Sequence, residues 1–342
     1  MKIYSLENIK TPLDLVCMTE NIKTGISCVI VLDTFTDIAD KIQKISISLF
    51  HIEIEDALRE VQSLSDDCMD WLNRMIVSEG RREEAEKDIK IHIRQMADLC
   101  NEAPRLVDDR DIMAQGAIIS SLFLSHLLRM QGKENCVLHS CNFLRLGIDR
   151  KPDMENSRKN VEELMKELPD VPLYITQNAL CMNVYNETCL LPHGGTDYYA
   201  ALTGAVFHAT EVVLYTSGGV LNGNIKMRQT HSITFGEAEN LIDCGARFIS
   251  AECIALARSA GMAIALQRLP FSDENELLIS TERMGQGVKA LVSRRQVAFI
   301  KLKSLEILNA SLFIGKVFDT FERYKVLIHS ASTSNVNISV AV

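Results

Sequence analysis

Pro192-His193-Gly194-Gly195-Thr196-Asp197 opens a run that continues Tyr198, Tyr199, Ala200, Ala201, Leu202, Thr203, Gly204 and Ala205. Two glycines, a hydroxyl and a carboxylate at a helix start can aim backbone N–H groups and a helix dipole at an anion, as phosphate recognition requires. The same residues have a plainer use, because glycines make turns and aspartate starts helices. Cys136, His139 and Cys141 are the nearest approach to a metal cluster, but they fall in an apolar run that reads as a buried strand, and no metal is expected there. The ten cysteines form no C-x-x-C pair and read as reduced thiols used as small hydrophobes. His51, His92, His126, His208 and His231 are isolated and receive no role.

The elements that must position such a turn follow from periodicity. Residues 28–32 (CVIVL) read as a strand, and Leu58, Val61, Leu64, Cys68, Trp71, Leu72 and Met75 recur at helical spacing. Gly80 and the solvated charges Arg81 to Glu84 break that pattern, and a second helix begins toward Ile89 and ends at Pro104. A third spans about Asp111 to Gln131 with Gly132 as its cap; Met113, Met130 and Phe123 on it, like Trp71 and Met75, read as core. Strands at 136–139, 173–176, 211–216 and 262–267 then alternate with helices at 155–168, 197–208, 235–243 and 251–260. That alternation implies parallel pairing with helical crossovers, hence an α/β fold with a mostly parallel central sheet. Thr234 with Glu237 spells a capping box. Pro270 to Gln286 reads as a linker holding a short strand at 277–279; strand 297–303, helix 311–324 and strands 326–328 and 337–342 make a βαββ unit.

Composition narrows the partners. The chain has 342 residues, and Lys+Arg 36 against Asp+Glu 45 leaves a net charge of −9. An acidic balance argues against nucleic acid or an anionic membrane, both of which are bound through surplus Lys and Arg. No uninterrupted apolar run of about 18 residues and no signal-peptide order are present, so a cytoplasmic protein is expected. Glycine is scarce and lopsided: of 17, only Gly25, Gly80, Gly116, Gly132 and Gly147 precede residue 194.

From Pro192 to residue 339 the sequence resembles aspartokinase, in the amino-acid kinase family. The family pattern G-R-G-G-S-D-Y-S/T-A-A-L is matched from His193 to Leu202, and a strand ending in a T-D-V-D-G-V nucleotide loop by residues 211–220. The E-E-A helix is matched at Phe235 to Ala238, F-G-A-K-V-L-H-P at 244–251, A-G-I-P at 260–263 and G-V-K-A-I at 287–291. The F-L-A-x-V-F and T-S-E-V motifs of a regulatory ACT domain are matched at 313–318 and 333–336. In the N-terminal half, 111–121 stands for D-x-I/L-x-S-x-G-E-x-x-S and 174–178 for the V-x-x-G-F strand.

The resemblance implies an amino-acid kinase-like three-layer sandwich over residues 1–286 and a truncated βαββ ACT-like unit over 287–342. It implies ATP and Mg²⁺ as cofactors if the chain is active and none otherwise, with ATP phosphorylating the side-chain carboxylate of aspartate. Asp197 and, more weakly, Arg247 take the catalytic positions; Gly194, Gly195, Thr196, Thr216, Ser217, Gly218 and Gly219 take the nucleotide positions. Several required groups are replaced. No glycine lies in residues 1–15, where K-F-G-G-T-S should follow the first strand, and nothing places Lys2. The acceptor-holding acid falls on Ala117, the carboxylate-clamping arginine on His193, the nucleotide loop loses both carboxylates, and the lysine becomes Arg247. Each such group typically contributes a factor of about 10² to 10³, so the first expectation is a catalytically degenerate chain with a regulatory or structural role. The alternative is a divergent active aspartate kinase of lysine, threonine and methionine biosynthesis; a third is a small-molecule sensor.

For the ACT-like unit the resemblance places an effector at Ser311, Phe313, Ile314, His329, Thr333, Ser334 and Asn335, with Leu312 replacing the loop glycine. A dimerising unit without ligand is the other reading. The sequence to Val342 holds one such unit, so a partner chain is expected to complete it: a homodimer or an intact aspartokinase.

Overall fold

A computed structural model describes residues 1–19, 27–101, 109–191, 195–216, 225–227, 232–268, 277–282, 289–293, 297–303, 310–334 and 337–342. Strand β1 (Lys2–Leu6) leads through helix α1 (Leu15–Thr19) to β2 (Cys28–Leu32). Four helices follow: α2 (Thr36–Phe50), α3 (Ile54–Met75), α4 (Glu79–Asn101) and α5 (Asp109–Met130). Next come β3 (Asn135–Leu138), α6 (Ser140–Phe143), α7 (Met154–Glu167), β4 (Leu173–Gln177) and the hairpin β5 (Leu180–Met182) and β6 (Thr188–Leu190). Helix α8 (Thr196–Val206) precedes β7 (Glu211–Thr216), β8 (Ile225–Met227), β9 (Ser232–Thr234), α9 (Phe235–Asp243), α10 (Ala251–Ala260) and β10 (Ala263–Arg268). The chain ends with β11 (Leu277–Ser280), β12 (Ala290–Val292), β13 (Phe299–Lys303), α11 (Ala310–Arg323), β14 (Ser330–Thr333) and β15 (Asn337–Ala341).

Eight strands form one sheet in the order β3-β4-β2-β1-β7-β10-β11-β9, parallel throughout except for the β10–β11 pair. Its strands are buried on both sides. Ile30, Leu32, Ile175, Val213 and Ala265 enter a core shared with α2 to α5, while Val29, Val31, Tyr174, Val212, Leu214 and Ile264 enter a second core shared with α6 to α10. Side chains alternate along a strand, so one continuous apolar run such as CVIVL serves both cores and fixes a three-layer sandwich. Helix α5 is long and apolar enough to cross a membrane by length and composition, and it is mostly buried inside this fold.

Local signals place most boundaries. Thr234 and Glu237 form the capping box of α9, and Gly261 ends α10 in the left-handed conformation at φ +69°. Gly132 turns at φ +76° after α5. Four expectations change. Helix α4 starts at Glu79, so Gly80 to Glu84 belong to it rather than breaking it. The linker strand is a core element: β11 pairs with β10, and Leu277 and Ile279 are fully buried. The strand expected at 326–328 lies instead at Ser330–Thr333, with Ile328 packed on the small core nearby. Met113 is 40% exposed, whereas Phe123, Trp71 and Met75 are buried as expected.

Beyond the sheet, β12 pairs with β8, and Lys289 bonds Glu237 at 2.9 Å, so the chain stays tied to the larger body as far as Val292. Burial pushes Glu237 up, but the Thr234 amide and the Lys289 ammonium outweigh it and hold the carboxyl below its usual range. The βαββ unit follows as an antiparallel sheet, β13-β15-β14, with α11 packed on it through Val317, Ile338 and Val340.

Helix α8 lies so close to the sheet that a Cβ on Gly204 would meet Met262 Sδ at 2.8 Å and Val212 Cγ2 at 3.1 Å. Gly204→Ala is expected to destabilise by about 1–3 kcal/mol through overpacking. Gly80→Ala, with nothing within 4 Å, should be neutral or stabilising. Thermal unfolding of the two variants checks this; an unchanged Tm for Gly204→Ala would contradict the packing.

Candidate functional site

Five parallel strands, β1, β2, β4, β7 and β10, end at one edge of the sheet, where ligands of open α/β folds bind. A cavity of about 380 Å³ opens there. Its walls are the loop after β1, the first turn of α8, the ends of β7 and β10, and the segment from Ala246 to Ser250 before α10.

Asp197 organises the α8 end of this cavity. Its Oδ1 accepts the Tyr198 amide at 2.8 Å and its Oδ2 accepts the Ser250 amide at 2.6 Å. Ser250 in turn caps α10, its hydroxyl accepting from the Cys253 amide at 3.2 Å. One carboxylate thus staples the starts of two helices, where a negative charge is favoured by both dipoles. Gly195 is required by this arrangement, since a Cβ there would lie 2.8 Å from Asp197 Oδ1. Thr196 accepts from the Asn178 side-chain amide at 3.2 Å, and Asn178 follows β4.

Two further carboxylates enter from strand ends. Glu7 follows β1, lines the cavity and hydrogen-bonds Thr196; Asp33 follows β2 and pairs with Asn178 and, at 2.9 Å, the Thr34 amide. Burial pushes the Glu7 carboxyl up, its bond to Thr196 opposes this, and the Asp197 and Asp33 charges push it up again. Burial likewise raises Asp33, against its bonds from Asn178 and Thr34. Asn8, next to Glu7, holds φ +58°, a left-handed conformation that favours glycine.

The expected residues distribute as follows. Gly195, Thr196, Asp197 and Arg247 line the cavity together, with Arg247 exposed. Thr216 ends β7 opposite Arg268. His193, Gly194, Ser217, Gly218, Gly219 and Asn335 lie outside the described residues. Ala117 is buried in α5 among Ala114 and Leu180, an apolar setting unlike one that holds an ammonium. Lys2 pairs with Glu211 at the opposite edge of the sheet, away from the cavity. In the βαββ unit Phe313 and Ile314 pack on its core, Ser311 lies in α11, and His329, Thr333 and Ser334 are exposed. Sequence reasoning missed Glu7 and Asp33. Each is the acid that directly follows a strand, and that shared placement was the available signal.

Among the described residues, the lining of the cavity does not supply the several cations that a nucleotide triphosphate needs. Arg247 is the one cation lining it among the described residues, while Glu7 and Asp197 face it and the charge of Asp33 reaches Glu7.

Because Glu7 and Asp33 resist ionisation more in the fold than in the unfolded chain, the folded state keeps protons over a window above the ordinary value of about 4. Stability therefore falls as pH rises through that window. Glu7→Gln, which can still bond Thr196, is expected to raise the Tm at pH 7, with an increment that shrinks toward pH 4. Thermal scans at the two pH values check the sign, and an equal or larger gain at low pH would refute it.

The profile of the Amino acid kinase family matches residues 38–266. Lysine-sensitive aspartokinase 3 of Escherichia coli (strain K12) is 23% identical over 298 residues, covering 84% of this chain and 64% of the relative. The chain thus spans less than two thirds of that protein's length. Among solved structures, the aspartate kinase of Clostridium acetobutylicum superposes with a TM-score of 0.72 at 11% identity, over 100% of this chain and 77% of its own. E. coli aspartokinase III in complex with aspartate and ADP gives 0.63 at 17%, over 100% and 78%. Both share the fold.

Proposed function

The chain belongs to the amino acid kinase family as an aspartokinase-like member, and we propose that it is one whose phosphoryl-transfer site has been lost and whose role is regulatory or structural. The observation that carries this reading is Glu7. The turn after β1 keeps a glycine-like backbone at Asn8, yet a carboxylate fills it and bonds the first residue of α8. Phosphoryl transfer is mostly positioning and charge neutralisation, so cations and open backbone amides must surround the phosphates. An acid bonded at that helix start takes the place such an anion would need.

Other features support the reading. Both oxygens of Asp197 are engaged by backbone amides, which suits a staple more than a reacting group. Ala117 offers no charge to an acceptor amino acid. Arg247 is the feature that favours the alternative, a divergent active aspartate kinase using ATP and Mg²⁺, because it leaves one exposed cation at the cavity.

A homodimer, or association with an intact aspartokinase, suits the βαββ unit, which we read as ACT-like. Its strands β13 and β14 are both sheet edges, β14 is exposed along its length, and Phe299 (63%) and Leu327 (72%) stand out into solvent.

Purified protein incubated with ATP, Mg²⁺ and aspartate is expected to release ADP no faster than a blank, and calorimetric titration with ATP to give no binding heat. Turnover that disappears in Arg247→Ala would overturn the proposal. In sedimentation velocity the chain should run as a dimer that Leu327→Asp shifts toward monomer; a native monomer at all concentrations would leave only the hetero-association.

A further inference from the structure

The β5–β6 hairpin places two thiols face to face. Cys181 and Cys189 are direct partners in its antiparallel register, and their sulfurs stand 3.4 Å apart as free thiols. Residues paired in this way have Cα atoms about 4.5–5.5 Å apart, inside the range of about 4.4–6.8 Å that a disulfide spans. Joining the two sulfurs is therefore within reach of side-chain rotation. A third sulfur lies nearby but outside the register: Cys141 of α6 donates to the Cys181 carbonyl at 3.5 Å, and burial pushes its thiol up to about 11.

The strands around the pair are held on every side. The Leu191 N–H donates to the Ala179 carbonyl at 3.0 Å on one flank, and the Asn183 N–H donates to the Glu187 carbonyl at 3.0 Å on the other. Outside the hairpin, the Met182 N–H donates to the Leu144 carbonyl at 3.0 Å and the Leu146 N–H to the Met182 carbonyl at 2.9 Å. From α8, the Tyr199 hydroxyl donates to the Leu180 carbonyl at 2.6 Å. Two groups fixed at such a distance react as one molecule does with itself, without the entropy cost of an encounter. Cys189 also lines a cavity of about 310 Å³ between the hairpin and the loop joining α6 to α7, which is room for more than a water molecule. Burial and the neighbouring Cys189 push the Cys181 thiol up, so Cys181 stays protonated beside a sulfur that borders open space.

We propose that Cys181 and Cys189 form a modification site, a dithiol that a small hydroperoxide oxidises to a disulfide and a thiol reductant restores. In the first step the Cys189 thiolate sulfur attacks the peroxide, so that an S–O bond forms and the O–O bond breaks. The departing oxygen leaves as hydroxide or alkoxide and takes up a proton, and Cys189 becomes a sulfenic acid. In the second step the Cys181 sulfur attacks Cys189, the S–S bond forms, and the S–O bond breaks. The released hydroxide takes the Cys181 proton and leaves as water. The two thiols together lose two electrons and two protons, and the hydroperoxide is reduced to water and an alcohol, or to two waters. The site does not depend on the nucleotide question, because neither cysteine lines the acidic cavity.

The test exposes the native chain to hydrogen peroxide, alkylates the remaining thiols, unfolds the protein and cleaves after glutamate, which parts the two cysteines at Glu187. The fragments carrying Cys181 and Cys189 are expected to stay joined, lighter by two hydrogens, until dithiothreitol separates them. In Cys189→Ala, oxidation of Cys181 at the same dose should be lost. In Cys181→Ala, Cys189 should accumulate as a sulfenic acid that dimedone traps. Cys244, which is exposed, reports that the oxidant reached the protein. Alkylated Cys181 and Cys189 beside an oxidised Cys244, a Cys181 joined to Cys141 instead, or undiminished Cys181 oxidation in Cys189→Ala would each overturn the proposal.

Discussion

Alternate side chains of β1, β2, β7 and β10 enter two separate cores, and the need to bury both faces of these strands shapes everything else in the molecule. Helices must cover each side, and parallel strands can be joined only by crossovers that return the chain to the starting edge. All the loops leaving β1, β2, β4, β7 and β10 therefore gather at one edge. Whatever side chains follow those strands meet there, whether or not they suit one another.

In this protein three of them are carboxylates. Asp197 is stabilised by two helix starts, whereas Glu7 is held against its own desolvation by Thr196, and Asp33 by Asn178 and the Thr34 amide. Asn8, beside Glu7, holds the left-handed backbone that ordinarily favours glycine. Folding places few demands on such loop side chains, because the sheet and its two cores supply most of the burial. A ligand site can thus lose its charges with the sandwich intact.

The glycine shortage follows the same division. Glycine remains where close packing or a staple needs it, at Gly204 beneath Met262 and Val212 and at Gly195 beside Asp197. It is missing after β1, where asparagine adopts the left-handed conformation in its place. The turn of the β5–β6 hairpin and the loop joining α6 to α7 show the converse, since Asn186 and Arg150 hold left-handed backbone there without glycine.

Local features were legible in the sequence. The face of α3, the capping box of α9, the cap at Gly261 and the strand at 28–32 each depend on residues within a turn or two of one another, and so did the family resemblance, carried by short motifs in order. The short strand expected at 277–279 inside a linker is β11, and only its pairing with β10 reveals its place in the core sheet. By itself the sequence determined the α/β class, most helix limits and the turn at Gly195 to Asp197, since these follow from periodicity, capping and helix starts. Tertiary structure alone decided that Lys2 faces away from the cavity, that Asp197 is spent on the Ser250 amide, and that Glu7 and Asp33 join it. The physical reason is that parallel pairing of β1 with β2 and β7 brings distant strand ends to one edge, and neither spacing nor composition records that meeting.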